Sequence, residues 1–147
     1  LGRKELFKGL KIDALEKDWK VYPVFHLDFN GTDFTLPGEL ERKLGYYISS
    51  WADQYAFPEK SRNLGLGDFF AEVIRAAHEH TGRRAVVLID EYDKPLLDVL
   101  DTGLKTFDSE GNERLLEDRH REIMKGFYSV FKAADRDLKF VLPSSRK

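Results

Sequence analysis

The sequence contains no cysteine, which excludes disulfides, thiolate metal sites and a cysteine nucleophile. No apolar run approaches the roughly 20 residues that span a bilayer, and the opening LGRKELFKGL has no hydrophobic segment of signal-peptide length. Neither sign of charge dominates, because 24 lysines and arginines stand against 26 acids. This balance gives no direct signal for nucleic acid or an anionic membrane as a partner. Together these absences predict a protein without a membrane partner, and they are compatible with the cytoplasm.

A phosphate-binding loop of the pattern GxxxxGK[ST] is also missing, since the eleven glycines include no Gly-Lys pair. The turn at Gly65-Leu-Gly67 precedes a predicted helix, but no lysine follows it, so we interpret it as a helix start. The chain begins without methionine and ends in SSRK. We therefore expect residues 1–147 to be a single partial domain from a longer polypeptide.

Three apolar stretches predict β-strands. VYPVFHLDFN (21–30) alternates partly between two faces, AVVLI (85–89) is apolar on both faces, and LKFVL (138–142) lies near the end of the chain. A strand that is apolar on both faces is typical of a parallel sheet with helices above and below it.

The helices follow from apolar residues at steps of three and four. This spacing predicts long helices over 37–55, 68–80 and about 113–134, with short helical pieces within 4–18. The stretch 101–112 is rich in Gly, Asp, Ser and Asn and predicts a mobile loop. The order strand, helix, helix, strand, helix, strand predicts an α/β layered sheet with right-handed crossovers.

The stretch AVVLIDEYDKPLL (85–97) carries the clearest chemical signal, because its apolar residues run directly into Asp90 and Glu91. In nucleotide hydrolases, a carboxylate at the carboxyl end of a strand holds hydrated Mg²⁺ near the phosphates. A glutamate that follows it orients or deprotonates the attacking water. A buried strand places both groups at the crevice where open α/β sheets bind ligands. The alternative is a strand that merely stops at a solvated turn, with Asp93 and Lys94 as an exposed ion pair.

Two other motif interpretations fit less well. DEYD resembles the DExD box of helicases, but no other stretch supports a helicase. A PD-(D/E)xK nuclease requires one residue between its acid and its lysine on a strand. Two residues separate Glu91 from Lys94, and both follow the apolar run.

The four histidines form no metal-binding motif. His78 and His80 are two residues apart on a predicted helix, so they point to different faces. We predict that His26 is a satisfied core or edge residue of its strand, and that His120 lies on the surface.

Four stretches, taken in order, resemble the AAA-ATPase-like family of P-loop NTPases. They are ELFKGLKID (5–13), WKVYPVFHLDFN (19–30), TGRRAVVLIDEYDKPLLDVLD (81–101) and MKGFYSVFKAADRDLKFV (124–141). The most specific piece is VLIDEYDKPLL, and the resemblance spans nearly the whole chain. Proteins of this family often carry a PD-(D/E)xK nuclease-like region after the ATPase domain.

The resemblance implies roles for three residues. Asp90 would be the Walker B metal ligand, and Glu91 the base that activates water. Ser144 would take the place of the sensor hydroxyl, although the family runs on into Thr-Gly where this chain has Pro143-Ser144-Ser145. The intact family protein would bind ATP and Mg²⁺. This piece would bind neither, because the family's Walker A loop lies upstream of ELFKGL.

The resemblance also implies a sheet order. The family order is 5-1-4-3-2, so this piece would keep three parallel strands in the order 4-3-2, as a partial P-loop NTPase domain of the ASCE type with flanking helices. Strand 138–142 would be an exposed edge where strand 1 belongs. We expect the chain to self-associate through that edge.

Three functional hypotheses follow. The first is a fragment of an ATPase that drives an effector or a fused C-terminal domain and is inactive alone. The second is a degenerate, non-hydrolytic interaction or regulatory module. The third is a metal-dependent nuclease that uses Asp28, Asp90 and Glu91, which requires Asp28 and Asp90 to converge on one metal.

Overall fold

A computed structural model describes residues 22–145 of the chain. The helical pieces predicted within 4–18 lie outside the described residues, as does the start of the strand predicted over 21–30. None of the described helices is long and apolar enough to cross a membrane.

The centre of the fold is a three-stranded parallel sheet. Its strands are β1 (Val24–Asp28), β2 (Ala85–Asp90) and β5 (Leu138–Ser144), in the order β1-β2-β5. β2 is therefore the central strand, and its first five residues are buried. This agrees with the prediction from AVVLI that the strand is buried on both faces of a parallel sheet.

Three long helices flank the sheet, as the apolar spacing predicted. They are α1 (Glu39–Gln54), α2 (Leu66–Thr81) and α4 (Leu116–Ala133). A short helix, α3 (Lys94–Leu97), follows β2, and single 3₁₀ turns occupy Glu59–Ser61 and Asp135–Asp137. α2 ends at Gly82, whose φ of 70° is the left-handed conformation that favours glycine at a helix C-terminus.

The main core lies between one face of the sheet and the three long helices. Phe70 of α2 is fully buried, and its ring stacks on Trp51 of α1 (centroids 5.4 Å apart) and on Phe127 of α4 (5.1 Å). α2 and α4 approach closely, because a Cβ at Gly67 would come within 3.3 Å of the carbonyl oxygen of Gly126. Gly67 thus lies within the first turn of α2, where the absence of a side chain lets α2 and α4 pack closely.

The other face of the sheet carries a smaller apolar cluster. Val86 and Leu88 of β2 are buried there, and residues from both neighbouring strands pack around them. The alternation of side chains puts His26 and Asp90 on this same face, because His26 pairs with Leu88 and Asp90 lies two residues beyond Leu88.

The predicted loop over 101–112 is interrupted by a strand, and its mobility stays a prediction. Lys105–Phe107 forms β3 and pairs antiparallel with β4 (Glu113–Leu115), so the predicted third helix begins at Leu116. The Asp108 carboxylate organises the turn by accepting the backbone N–H groups of Glu110 (2.9 Å) and Asn112 (2.8 Å). The turn-forming residues were recognised, but the three-residue strands on either side of them were too short to show a period.

The prediction that His120 lies on the surface is wrong. His120 is fully buried, and its Nε2–H donates to the carbonyl oxygen of Phe34 at 2.8 Å. The sequence contained a signal for this placement. His120 follows Leu116 by four residues and precedes Met124 by four, so it lies on the apolar stripe of α4.

Candidate functional site

The candidate site lies at the carboxyl edge of the parallel sheet. Asp28 ends β1, Asp90 ends β2 and Ser144 ends β5, and the three are partners in register across the sheet. Partners in register point to the same face, so three polar side chains lie on one face of the sheet at the edge where ligands of open parallel sheets bind.

Asp90 is held from both sides. Ser144 Oγ donates to Asp90 Oδ1 at 2.6 Å, and His26 Nε2–H donates to Asp90 Oδ2 at 2.8 Å. The Asp90 side chain keeps 49% of its exposure and that of His26 keeps 33%. Asp90 is therefore oriented by neighbours from β1 and β5 while it stays open to solvent.

Glu91 has an unusual backbone conformation. Its φ of 55° lies in the left-handed region, which costs a residue with a Cβ on the order of 1 kcal/mol. Its carbonyl oxygen accepts the backbone N–H of Lys94 at 3.0 Å, which closes the turn that leads into α3. The chain thus turns sharply at the residue after Asp90, within the candidate site.

The side chain of Asp28 is hydrogen-bonded to the loop that follows β1. Its Oδ1 accepts the backbone N–H of Asn30 at 2.9 Å. The hydroxyl of Tyr47 lies 3.3 Å from both the backbone nitrogen and the carbonyl oxygen of Asp28, and partial burial raises the pKa of Tyr47. Within residues 22–145 no group of three or more His, Cys, Asp or Glu side chains is arranged to hold a metal ion. Within these residues, Asp28 is therefore not part of a metal-binding cluster of the kind that the nuclease hypothesis requires.

The end of β5 is attached to the turn that follows Glu91. The backbone N–H of Tyr92 donates to the carbonyl oxygen of Ser144 (3.2 Å), and Ser145 Oγ lies 3.2 Å from both carboxylate oxygens of Asp93. Tyr128 of α4 donates its hydroxyl to the carbonyl oxygen of Tyr92 (3.1 Å), and burial raises the pKa of Tyr128. The predicted sensor residue Ser144 thus lies in a fixed position beside Asp90.

Lys94 contacts a different part of the molecule. Its Nζ donates to Asp98 Oδ2 (2.6 Å) and to the carbonyl oxygen of Thr32 (2.7 Å), so Asp98 and not Asp93 is its ion-pair partner. The same Asp98 oxygen accepts the backbone N–H of Phe34 at 3.2 Å. Since Lys94 binds the loop after β1, it does not complete a nuclease motif with Glu91.

The carboxyl edge of the sheet offers few ligands for a metal ion. Mg²⁺ usually keeps several waters and is bound through one or two carboxylates together with substrate phosphates. Asp90 supplies one partly exposed carboxylate, and nothing in the described region supplies the several ligands of a site made by protein alone. The described residues of this edge therefore offer a metal ion one carboxylate and no cluster of protein ligands.

His26 is the residue of this site that sequence reasoning did not assign to it. We predicted a satisfied core or edge residue, and His26 is indeed satisfied, but by the carboxylate of Asp90 itself. The two residues are 64 positions apart in the chain. Once β1 and β2 are paired in parallel register, however, the alternation of side chains puts them on one face.

Comparisons with known proteins give one family and one relative. A family described as predicted AAA-ATPase matches residues 1–144. An uncharacterized protein from the vnfD 5′ region of Azotobacter chroococcum mcd 1 is 31% identical over 146 residues, which cover 97% of this chain. The chain spans 25% of the length of that relative. No solved structure matches the chain.

Proposed function

The chain belongs to the AAA-ATPase-like family, and from this membership we propose that it supplies the acidic half of an ATP-hydrolysing site. The observation that carries the proposal is the position of Asp90 and Glu91. They end the buried central strand of a parallel sheet, and a serine hydroxyl from the next strand lies 2.6 Å from Asp90. An Asp-Glu pair at this position is the arrangement that phosphoryl transfer requires of a Walker B strand.

Each of the three residues has a distinct task in this proposal. Asp90 holds the water shell of Mg²⁺, and its two hydrogen-bond donors keep the carboxylate in one orientation. Glu91 accepts a proton from, or orients, the water that attacks the terminal phosphate. Ser144 lies at the end of the neighbouring strand, where its hydroxyl can also reach the phosphate side of the site. When bound, Mg²⁺ neutralises charge that develops on the phosphate oxygens.

The sheet supports a specific correspondence with the family fold. We assign β5, β2 and β1 to the family's strands 4, 3 and 2, since the three are parallel and adjacent in that order. Strand 1, which bears the phosphate loop, would then pair with the outer edge of β5. That pairing would bring a glycine-rich loop next to Ser144 and Asp90.

A phosphate-binding loop contributes groups that attract a polyphosphate, and Asp90 and Glu91 contain no such groups. It offers successive backbone N–H groups, a helix N-terminus and a lysine, all of which attract a polyphosphate. Asp90 and Glu91 repel one, and residues 1–147 contain no Gly-Lys pair. We therefore propose that the chain alone neither binds ATP tightly nor hydrolyses it. We propose that ATP hydrolysis, and any effector that it drives, requires a phosphate-binding loop that residues 1–147 do not contain.

ATP hydrolysis by a polypeptide that joins residues 1–147 to a phosphate-binding loop tests the proposal. We expect Glu91→Gln to reduce the turnover number by at least about a hundredfold while ATP still binds, because the substitution removes a proton acceptor in the transition state. Asp90→Asn should weaken both Mg-ATP binding and turnover. Asp101→Asn is the matched control, since Asp101 is an exposed acid on the loop before β3. Equal turnover for Glu91→Gln and Asp101→Asn would contradict the assignment.

A second candidate function is a non-hydrolytic interaction or regulatory module, and one observation favours it. Both carboxylate oxygens of Asp90 already accept hydrogen bonds, from His26 and Ser144. A carboxylate with a hydrogen bond on each oxygen can have a purely structural role. In that case Asp90→Asn would lower the free energy of unfolding and leave nucleotide binding by the joined polypeptide unchanged.

A further inference from the structure

A second surface of the molecule is separate from the candidate site. Five large apolar side chains between residues 97 and 115 are at least 39% exposed. We call them the apolar strip, and they are Leu97 (48%), Leu100 (47%), Leu104 (39%), Phe107 (71%) and Leu115 (42%). Single exposed apolar residues are ordinary, but this concentration in so short a stretch is not.

Hydrogen bonds join the segments that carry the strip. The backbone N–H of Asp101 donates to Glu117 Oε1 at 2.8 Å, and the backbone N–H of Leu116 donates to the carbonyl oxygen of Leu104 at 2.8 Å. The loop after α3 therefore lies along the start of α4, beside the hairpin of β3 and β4. The loop that carries Leu100 and Leu104 therefore adjoins the hairpin that carries Phe107 and Leu115, and both α3 and the hairpin contact α4.

The hairpin turns one face to solvent and the other to α4. Lys105 and Leu115 are register partners, as are Phe107 and Glu113, so these four side chains share the outer face, and all four are exposed. Arg114 belongs to the inner face and forms an ion pair with Glu122 of α4 at 2.7 Å. The inner face secures the hairpin, so Phe107 contributes little to folding.

The charge around the strip is negative. Residues 97–118 contain seven acids and two bases. Four of the acids form ion pairs, with Lys94, Lys105 or Arg121. Within residues 22–145, neither Asp101 nor Glu110 forms an ion pair, and Asp108 forms none either. Hydrogen bonds from the backbone of Asn112 lower the pKa of Asp108, which keeps the turn of the hairpin charged. Such a rim repels nucleic acid and anionic lipid and attracts cations.

We propose that the apolar strip is a docking surface for a cationic amphipathic helix of another polypeptide. An apolar stripe on such a helix would cover Phe107 and the leucines, and its lysines or arginines would meet the acidic rim. The apolar contact supplies affinity, and the charges select the partner and make binding depend on salt. This proposal does not depend on ATP hydrolysis, because no residue of the strip belongs to the carboxyl edge of the sheet.

Fluorescence anisotropy with designed peptides tests the proposal. The probe is a labelled helical peptide of about 18 residues with one leucine face and lysines elsewhere. The first comparison peptide carries glutamate in place of lysine, and the second contains the same leucines and lysines without a continuous apolar face. We expect the lysine amphipathic peptide to bind at least about tenfold more tightly than either comparison peptide, a difference of 1.4 kcal/mol. Added salt should weaken its binding.

Substitutions in the chain test whether the lysine peptide binds at the apolar strip. We expect the double variant Phe107→Ser, Leu115→Ser to bind the lysine peptide at least about tenfold more weakly. Tyr46→Ser is the matched control, because Tyr46 is 65% exposed on α1, outside the strip, and should leave binding unchanged. An unchanged thermal melt of the double variant confirms that it is folded.

Three results would overturn the proposal. The first is equal binding of the glutamate peptide or of the peptide without an apolar face. The second is equal loss of binding in Tyr46→Ser. The third is binding of the chain to vesicles of anionic lipid that is lost when Phe107 is replaced. That result would mean that the surface contacts a membrane.

Discussion

Single residues at the carboxyl edge of the sheet are held by neighbours that are remote in the chain. Asp90 is oriented by His26 and Ser144, which lie 64 and 54 residues away from it. The position of Asp90 at the end of a buried strand could be predicted locally, because an apolar run followed by two acids is a local pattern. The partners could not be predicted in this way, since they depend on the register of three strands.

Glu91 offers a test of backbone strain that does not depend on any ligand. Its φ of 55° suits glycine better than a residue with a Cβ. We predict that Glu91→Gly is more stable than Glu91→Ala by about 1 kcal/mol in urea unfolding, because both variants remove the same carboxylate and only alanine keeps the strain. Equal stability of the two variants, or greater stability of alanine, would show that this turn is not left-handed.

At the scale of elements, the long helices and the buried strand were predictable and the hairpin was not. Leu40, Leu44 and Ile48 repeat on one face of α1 and are all buried, so the period alone located the helix. β3 and β4 have three residues each, and a two-stranded hairpin of that size is not stable by itself. It exists because Arg114 and Leu116 attach it to α4, which is information that a local pattern does not contain.

The contact between α3 and the loop after β1 is a second element-level feature. The side chains of Lys94 and Asp98 are only 26% and 22% exposed, and the pair holds the backbone of Thr32 and Phe34. We predict that Lys94→Met lowers the free energy of unfolding by about 1–3 kcal/mol, because the Asp98 carboxylate loses its cation. In hydrogen–deuterium exchange, the amide of Phe34 should exchange at least about tenfold faster.

A matched control for Lys94→Met is Arg42→Met. Arg42 pairs with Glu39 one turn away on α1, and its side chain is 61% exposed. That change should alter stability by no more than about 0.5 kcal/mol. A similar small effect for Lys94→Met would mean that α3 and the loop are held together by the packing of Phe34 alone.

At the scale of the whole molecule, β5 is an outer strand of the three-stranded sheet in the described part of the chain. Within the described residues β5 pairs with β2 on one side, and we propose that its outer side pairs with the same side of a second copy of the chain. We predict concentration-dependent self-association in sedimentation velocity, and it should persist in Phe107→Ser because the apolar strip is elsewhere. A clean monomer across a wide concentration range would contradict association through β5.

We propose that residues 1–147 carry the acidic half of a nucleotide site and lack the phosphate-binding half. Calorimetric titration of Mg-ATP tests it most directly, with residues 1–147 alone and joined to a phosphate-binding loop. We predict no micromolar binding to the chain alone, micromolar binding to the joined polypeptide, and loss of that binding in Asp90→Asn. Micromolar binding of Mg-ATP to the chain alone would contradict this proposal. Binding to the joined polypeptide that is unchanged in Asp90→Asn would also contradict it.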